Sequence, residues 1–152
     1  MTTPSQVSQQ LSTFFATHLP VTQFMQMDVE GYDGQTLILH APLAPNINDK
    51  QTAFGGSLYN ASVMACWGMA HLKTLEAKIT CNQVITKANI EYLSPVHGDI
   101  RAICHVPNEE VVTKFIEQFK HKGRARITLH ATIEYSGKVA VKFEGTYAIL
   151  KE

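Results

Sequence analysis

The sequence predicts an α+β fold in which a six-stranded antiparallel sheet wraps around one long central helix. Three observations predict it. The chain has 152 residues, 45% of them hydrophobic and only 17% charged, enough apolar material for one substantial core. Residues 51–72 run for 22 positions without a charge, and apolar side chains fall on every side of a helical projection, so a helix here needs cover all round. Much of the remainder alternates apolar and polar residues over long stretches, the pattern of strands that bury one face. A sheet folded about the apolar helix meets both demands.

Taken in order, Thr3-Pro4-Ser5-Gln6 opens a helix, with Thr3 as N-cap, proline at the first helical position and Gln6 closing a capping box. It covers about residues 4–18, carries Val7, Leu11, Phe14 and Phe15 on one face, and stops at Leu19-Pro20. A strand near 26–32 meets Asp33-Gly34 and returns through 36–41, a hairpin. Residues 42–52 are loop. The central helix covers about 56–77 and becomes amphipathic only at its far end, where Lys73, Glu76 and Lys78 appear. Val84, Thr86, Ala88, Ile90 and Tyr92 alternate with polar residues in a third strand, and Ile100, Ala102, Cys104 and Val106 in a fourth. Asn108 caps a short helix over 109–120, with Val112, Phe115, Ile116 and Phe119 as its buried stripe. Strands over 124–135 and 139–150, joined by Ser136-Gly137, complete a single domain over residues 1–152.

Charge and cysteine usage exclude several functions. Thirteen Lys+Arg balance thirteen Asp+Glu, which argues against nucleic acid as the main partner. Cys66, Cys81 and Cys104 are an odd number without C-x-x-C spacing, and residues 2–10 lack the basic and apolar regions of a secretory signal, so a cytoplasmic protein with reduced thiols is expected. The uncharged stretch contains three glycines, Asn60 and His71, too much polarity for a membrane span. No two of the seven histidines stand three or four residues apart, and no metal or other cofactor is expected.

The chemistry concentrates around residues 46–60. Gly55-Gly56 at the mouth of a buried helix lets a ligand approach the backbone closely. The first-turn amides of Gly56, Ser57 and Leu58 have no acceptor within the helix and lie at its positive end, suited to a developing oxyanion. Close packing of the helix start against a strand explains the two glycines equally well. Asn46, Asn48 and Ser57 are the candidate catalytic side chains beside Gly56; Phe54, Gly55, Tyr59 and Asn60 are candidate substrate contacts. Each asparagine also reads as a turn residue bonding its own backbone. Ser57 is not a nucleophile elbow, because Tyr59 stands where G-x-S-x-G needs glycine.

The polar loop, the Thr52-Ala53-Phe54-Gly55-Gly56-Ser57 turn and the long apolar helix together resemble the hot-dog fold thioesterase and dehydratase superfamily, and the strand order agrees from about Gln26 to Leu150. Members commonly carry His-Gly-Gly at this turn; Phe54 stands at the histidine's place. The resemblance implies an Asp or Glu about two turns into the helix, yet residues 60–65 contain none, and the next acid, Glu76, lies roughly 30 Å along the helix. Hydrolysis needs a base to activate water, whereas decarboxylation of a malonyl thioester needs mainly a stabilised enolate. The Asn46-x-Asn48 loop, the Phe54-x-Gly56-Ser57 turn and Trp67-Gly68 resemble the small malonyl-acyl carrier protein decarboxylases and the related thioesterase-like domain fused to acetyltransferases. That resemblance implies decarboxylation of malonyl-acyl carrier protein to acetyl-acyl carrier protein at the start of fatty-acid synthesis, a lyase activity with Asn46 foremost. Two alternatives stay open: an acyl-CoA or acyl-carrier thioesterase with Asp49 as base, and a non-catalytic acyl-thioester binding module.

Residues 118–133 hold Lys120, Lys122, Arg124 and Arg126 and no acid. If the strand starts early these share one face, and Lys122, Arg124 and Arg126 are the expected contacts for an acidic carrier protein or coenzyme A phosphates. A solvated edge that guards against strand pairing is the competing reading. The family resemblance further implies a homodimer or higher homo-oligomer.

Overall fold

Thr3 opens the first helix as expected: its N–H donates to Gln6 Oε1 at 2.8 Å, and its hydroxyl accepts the Gln6 N–H at 3.2 Å. The computed structural model describes residues 3–152. Residues 1 and 2, which belong to the expected 1–152 domain and to the polar N-terminal segment, lie outside the described residues. Helix α1 (Pro4–His18) is followed directly by a short α2 (Pro20–Phe24) that was not anticipated. Pro20 ends α1 and also occupies the first position of the next turn, where its fixed φ suits a helix. Strand β1 (Asp28–Tyr32) therefore starts two residues later than expected. Gln26 adopts a left-handed φ of 54°, and the Met27 N–H closes back on the Thr22 carbonyl at 2.8 Å.

β2 (Thr36–Ala41) leads through a 3-10 turn (Ala44–Asn46) and a loop into the central helix α3 (Gly55–Glu76). Then come β3 (Asn82–Tyr92), β4 (Ile100–His105), α4 (Glu109–Lys122), β5 (Arg124–Tyr135) and β6 (Lys138–Leu150). The six strands form one antiparallel sheet in the order β1-β2-β4-β5-β6-β3. Helix α3 packs on β2 through β6, with Leu58, Ala65, Met69 and Leu72 buried against Leu37, Leu39, Ile100 and Ile149. The predicted α+β arrangement of six antiparallel strands about a long helix is what the structure shows. Gly68 sets how closely α3 approaches: a Cβ there would lie 2.8 Å from Leu37 Cδ2 and 3.2 Å from Leu11 Cδ2.

Two expectations need correction. The helix is not covered all round within one chain. Tyr59, Val63, Trp67 and His71, spaced by four, keep partial exposure along one stripe. Beside it, β3 is an edge strand bonded among the described residues only to β6, so its alternation does not bury a face: Val84 is 47% and Tyr92 52% exposed. The basic segment also does not begin as strand. Lys120 and Lys122 sit on the last turn of α4, Gly123 ends that helix at a φ of 74°, and only Arg124 and Arg126 share the outward face of β5. Among the described residues, no helix is long and apolar enough to cross a membrane.

Candidate active site at the start of the central helix

The loop before α3 is fixed from both ends. Asp99 accepts the Leu43 N–H at 2.9 Å and stands 3.0 Å from His40 Nε2; these partners hold its carboxyl below the usual range. Asn46 is 2% exposed. Its N–H donates to Leu43, its carbonyl accepts the Phe54 N–H at 2.7 Å, and its side-chain NH2 donates to the carbonyls of Met25 (2.9 Å) and Pro42 (2.8 Å). A flipped carboxamide would set its oxygen against two carbonyls, so this orientation is forced. Both side-chain donors are thus spent on the main chain, while Oδ1 is buried without a partner among the described residues. Asn48 is also turned inward on its own loop: Oδ1 accepts from the N–H groups of Lys50 and Thr52, and Nδ2 donates to Thr52 Oγ1 at 2.8 Å. Asp49 is 82% exposed and paired with Lys50, facing solvent.

Phe54 is the N-cap of α3, and its side chain has no oxygen to offer the first turn. Its carbonyl accepts the N–H groups of Ser57 (2.9 Å) and Leu58 (3.0 Å). The set of free amides is therefore shifted from the expected one: Ser57 and Leu58 are closed, and those of Gly55 and Gly56 have no acceptor among the described residues. The Phe54 ring, 55% exposed, lies across Gly56, where a Cβ would meet Phe54 Cε2 at 2.4 Å. Ser57 is nearly buried, and its hydroxyl makes no hydrogen bond among the described residues. Asn60 rests its Nδ2 on Met25 Sδ at 3.0 Å, a weak acceptor. Tyr59 packs edge-on against Phe143.

Sequence reasoning missed Tyr92, at the end of β3. Its hydroxyl donates to the Gly55 carbonyl at 3.0 Å, and its ring lies 3.7 Å from where a Gly55 Cβ would be. Nothing local links residues 37 positions apart; only the return of β3 past the helix start does. Burial raises the Tyr92 phenol above its ordinary value, so it stays a donor at neutral pH. At the far end of α3, Glu76 accepts from the Tyr32 hydroxyl and pairs with Lys73, well away from the turn.

The turn thus gathers Phe54, Gly55, Gly56, Ser57 and Asn60, braced by Asn46 and Asn48. The basic residues stand apart. Arg124 and Arg126 border a cleft of about 450 Å³ with Val84, Thr86, Gln118 and Leu150. Arg126 pairs through Ala148 with Val84, so this cleft lies by the start of β3, roughly 26 Å along the strand from Tyr92.

Comparison with known proteins agrees with this architecture. The family described as "YiiD_C: Putative thioesterase (yiiD_Cterm)" matches residues 8–151. A protein of unknown function from Chlorobaculum tepidum TLS is 58% identical in solved structure, with a TM-score of 0.97 over 99% of this chain and 98% of its own. A protein described as a "putative thioesterase" from Shewanella oneidensis is 27% identical, with a TM-score of 0.86 over 97% and 99%. A thioesterase from Haemophilus influenzae, 10% identical with a TM-score of 0.71 over 95% and 90%, shares the fold. With the family matched along nearly its whole length and the sheet wrapped about α3, the chain belongs to the YiiD_C thioesterase family of the hot-dog superfamily.

Proposed function

We propose that the Gly55–Gly56 turn receives the carbonyl of an acyl thioester and that the protein decarboxylates malonyl-acyl carrier protein to acetyl-acyl carrier protein. One observation carries this reading: two free amides at the positive end of a 22-residue helix, while the acids of the loop and helix are engaged elsewhere. The thioester oxygen accepts from Gly55 and Gly56. The Asn60 carboxamide and the Ser57 hydroxyl, neither committed to a strong partner, orient the malonyl carboxylate. Cleavage of the carbon–carbon bond releases carbon dioxide, and its electron pair moves to the thioester oxygen as an enolate held by the two amides. A proton from solvent then adds at carbon to give the acetyl thioester. Asn46 acts here as a brace rather than a contact, since its donors are spent. The chemistry requires no metal or other cofactor.

A second reading, thioester hydrolysis, draws support from the family and from the unpartnered Oδ1 of Asn46, an acceptor suited to orienting an attacking water. The acyl thiol in either case is acyl carrier protein or coenzyme A, with Lys122, Arg124 and Arg126 as the docking charges. The exposed edge of β3 supports a homodimer. Antiparallel pairing of two β3 edges about a two-fold axis brings the arginine end of one copy beside the Tyr92 end of the other. The unpaired Cys66, Cys81 and Cys104 suit a cytoplasmic setting. Incubation with malonyl-carrier protein, followed by mass spectrometry, separates the readings. Acetyl-carrier is the expected product; free carrier would establish hydrolysis instead, and a bound but unchanged substrate would leave a binding module.

A further inference from the structure

We infer that Tyr92 is a positioning residue for the oxyanion donor at Gly56, acting through the peptide bond that joins Gly55 to Gly56. The inference rests on the reading of that turn as the thioester site. The carbonyl of Gly55 and the N–H of Gly56 belong to one planar unit, so a hydrogen bond to the oxygen draws charge from the nitrogen and makes the N–H a better donor. Tyr92 Oη donates to that oxygen at 3.0 Å, and its ring lies 3.7 Å from where a Gly55 Cβ would be. Within α3, which starts at Gly55, this carbonyl also accepts the Tyr59 N–H, so the Tyr92 hydroxyl is a second donor to the same oxygen. This second donor comes from a strand, not from the helix itself. Tyr92 is the last residue of β3 and pairs with Val141 of β6, so the sheet adds a hydrogen bond to the first peptide of the helix. A phenol keeps its proton throughout the neutral range, and burial moves Tyr92 further in that direction.

Tyr92→Phe keeps the ring against Gly55 and deletes only the hydroxyl. The full-length variant should unfold within about 4 °C of wild type and keep its KM for malonyl-carrier protein, while kcat falls about two- to eightfold, the share expected when one polarising bond is lost from an oxyanion donor. The Gly56 amide proton should move upfield in the 15N-correlated spectrum of the same variant, with or without any substrate. Tyr92→Ala, which also removes the ring packed beside Gly55, should lose at least as much kcat as Tyr92→Phe. An unmoved Gly56 resonance, or a shifted resonance with kcat unchanged, overturns the inference. Its failure is distinguishable from failure of the site itself: if Phe54→Asp, which fills the first turn with a carboxylate, leaves turnover intact, then the turn is not the thioester site at all.

Discussion

Replacing Phe54 sets stability against activity at one residue. Phe54→Ala removes the ring from Gly56 and gives the reference. Phe54→Ser differs from it by one hydroxyl, which at an N-cap accepts from the second or third amide of the helix. The third, Ser57, is already bonded to the residue-54 carbonyl at 2.9 Å, so the hydroxyl takes Gly56. The cap should make Phe54→Ser more stable than Phe54→Ala by about 1 kcal/mol, a rise of about 2–4 °C in a chain of this size. A substrate oxygen must then displace the cap, so turnover should fall about fivefold below Phe54→Ala for the same 1 kcal/mol. Phe54→Asp goes further. A carboxylate about 4 Å from the developing enolate costs about 4 kcal/mol at an effective dielectric near 20, roughly a thousandfold in rate. Urea unfolding and mass-resolved turnover of malonyl-carrier protein read both quantities on the same three variants. Stabilisation with unchanged turnover would refute the oxyanion role of Gly56, and no stabilisation would show that its amide was never free.

Asn46→Ala should cost about 2–4 kcal/mol in urea unfolding, because the carbonyls of Met25 and Pro42 lose their donors inside the fold; a change under 1 kcal/mol would undo the brace assignment. Charge reversal at Lys122, Arg124 and Arg126 should raise KM for a carrier-bound substrate at low salt and leave kcat alone, the difference fading as salt rises. Val84→Lys, on the free edge of β3, should convert a sedimenting dimer into monomers, and an unchanged sedimentation coefficient would move the interface elsewhere. Asp99 is held below the ordinary carboxylate pKa, so its contribution is complete above about pH 4 and is lost as pH falls through the lowered value. Asp99→Asn should remove that part of the acid dependence, seen as a shallower loss of urea stability below pH 4.

What was legible in the sequence was what local patterns encode. The box at Thr3 and the cap at Asn108 formed as written, and the alternation in β5 put Ala125, Ile127, Leu129 and Ala131 inside. The apolar run of α3 gave the fold, because few arrangements cover such a helix. What stayed hidden depends on contacts remote in sequence or on which lone pair is already taken. Asn46 and Asn48 carry the right chemistry for a site, yet their hydrogen bonds turn them into scaffolding, and composition does not show where a carboxamide's protons go. Tyr92 looked like one more alternating strand residue. The exposed faces of β3 and α3 follow from the edge position of β3, and an alternating pattern does not say which strand lies at an edge.

The caps themselves argue for function. The same chain closes α1 with a reciprocal box and α4 with an asparagine, then starts its longest helix with a phenylalanine. A serine or aspartate at residue 54 would satisfy the first turn at no cost to the loop, whose contact with this residue is through its main-chain N–H. The same short stretch leaves an Asn46 oxygen buried without a donor and parks the Asn60 amide on a thioether. Unfilled or weakly filled groups gather between residues 46 and 60, namely the Gly55 and Gly56 amides, the buried Asn46 oxygen and the Asn60 amide; among the described residues the other buried orphan is Gln83 Oε1, at the start of β3, and α2 likewise begins without a side-chain cap. A bound ligand gains free energy when it supplies an acceptor to Gly55 and Gly56 and a better one to Asn60. The proposed malonyl thioester offers several oxygens to these donors, and one of them gains negative charge as it reacts.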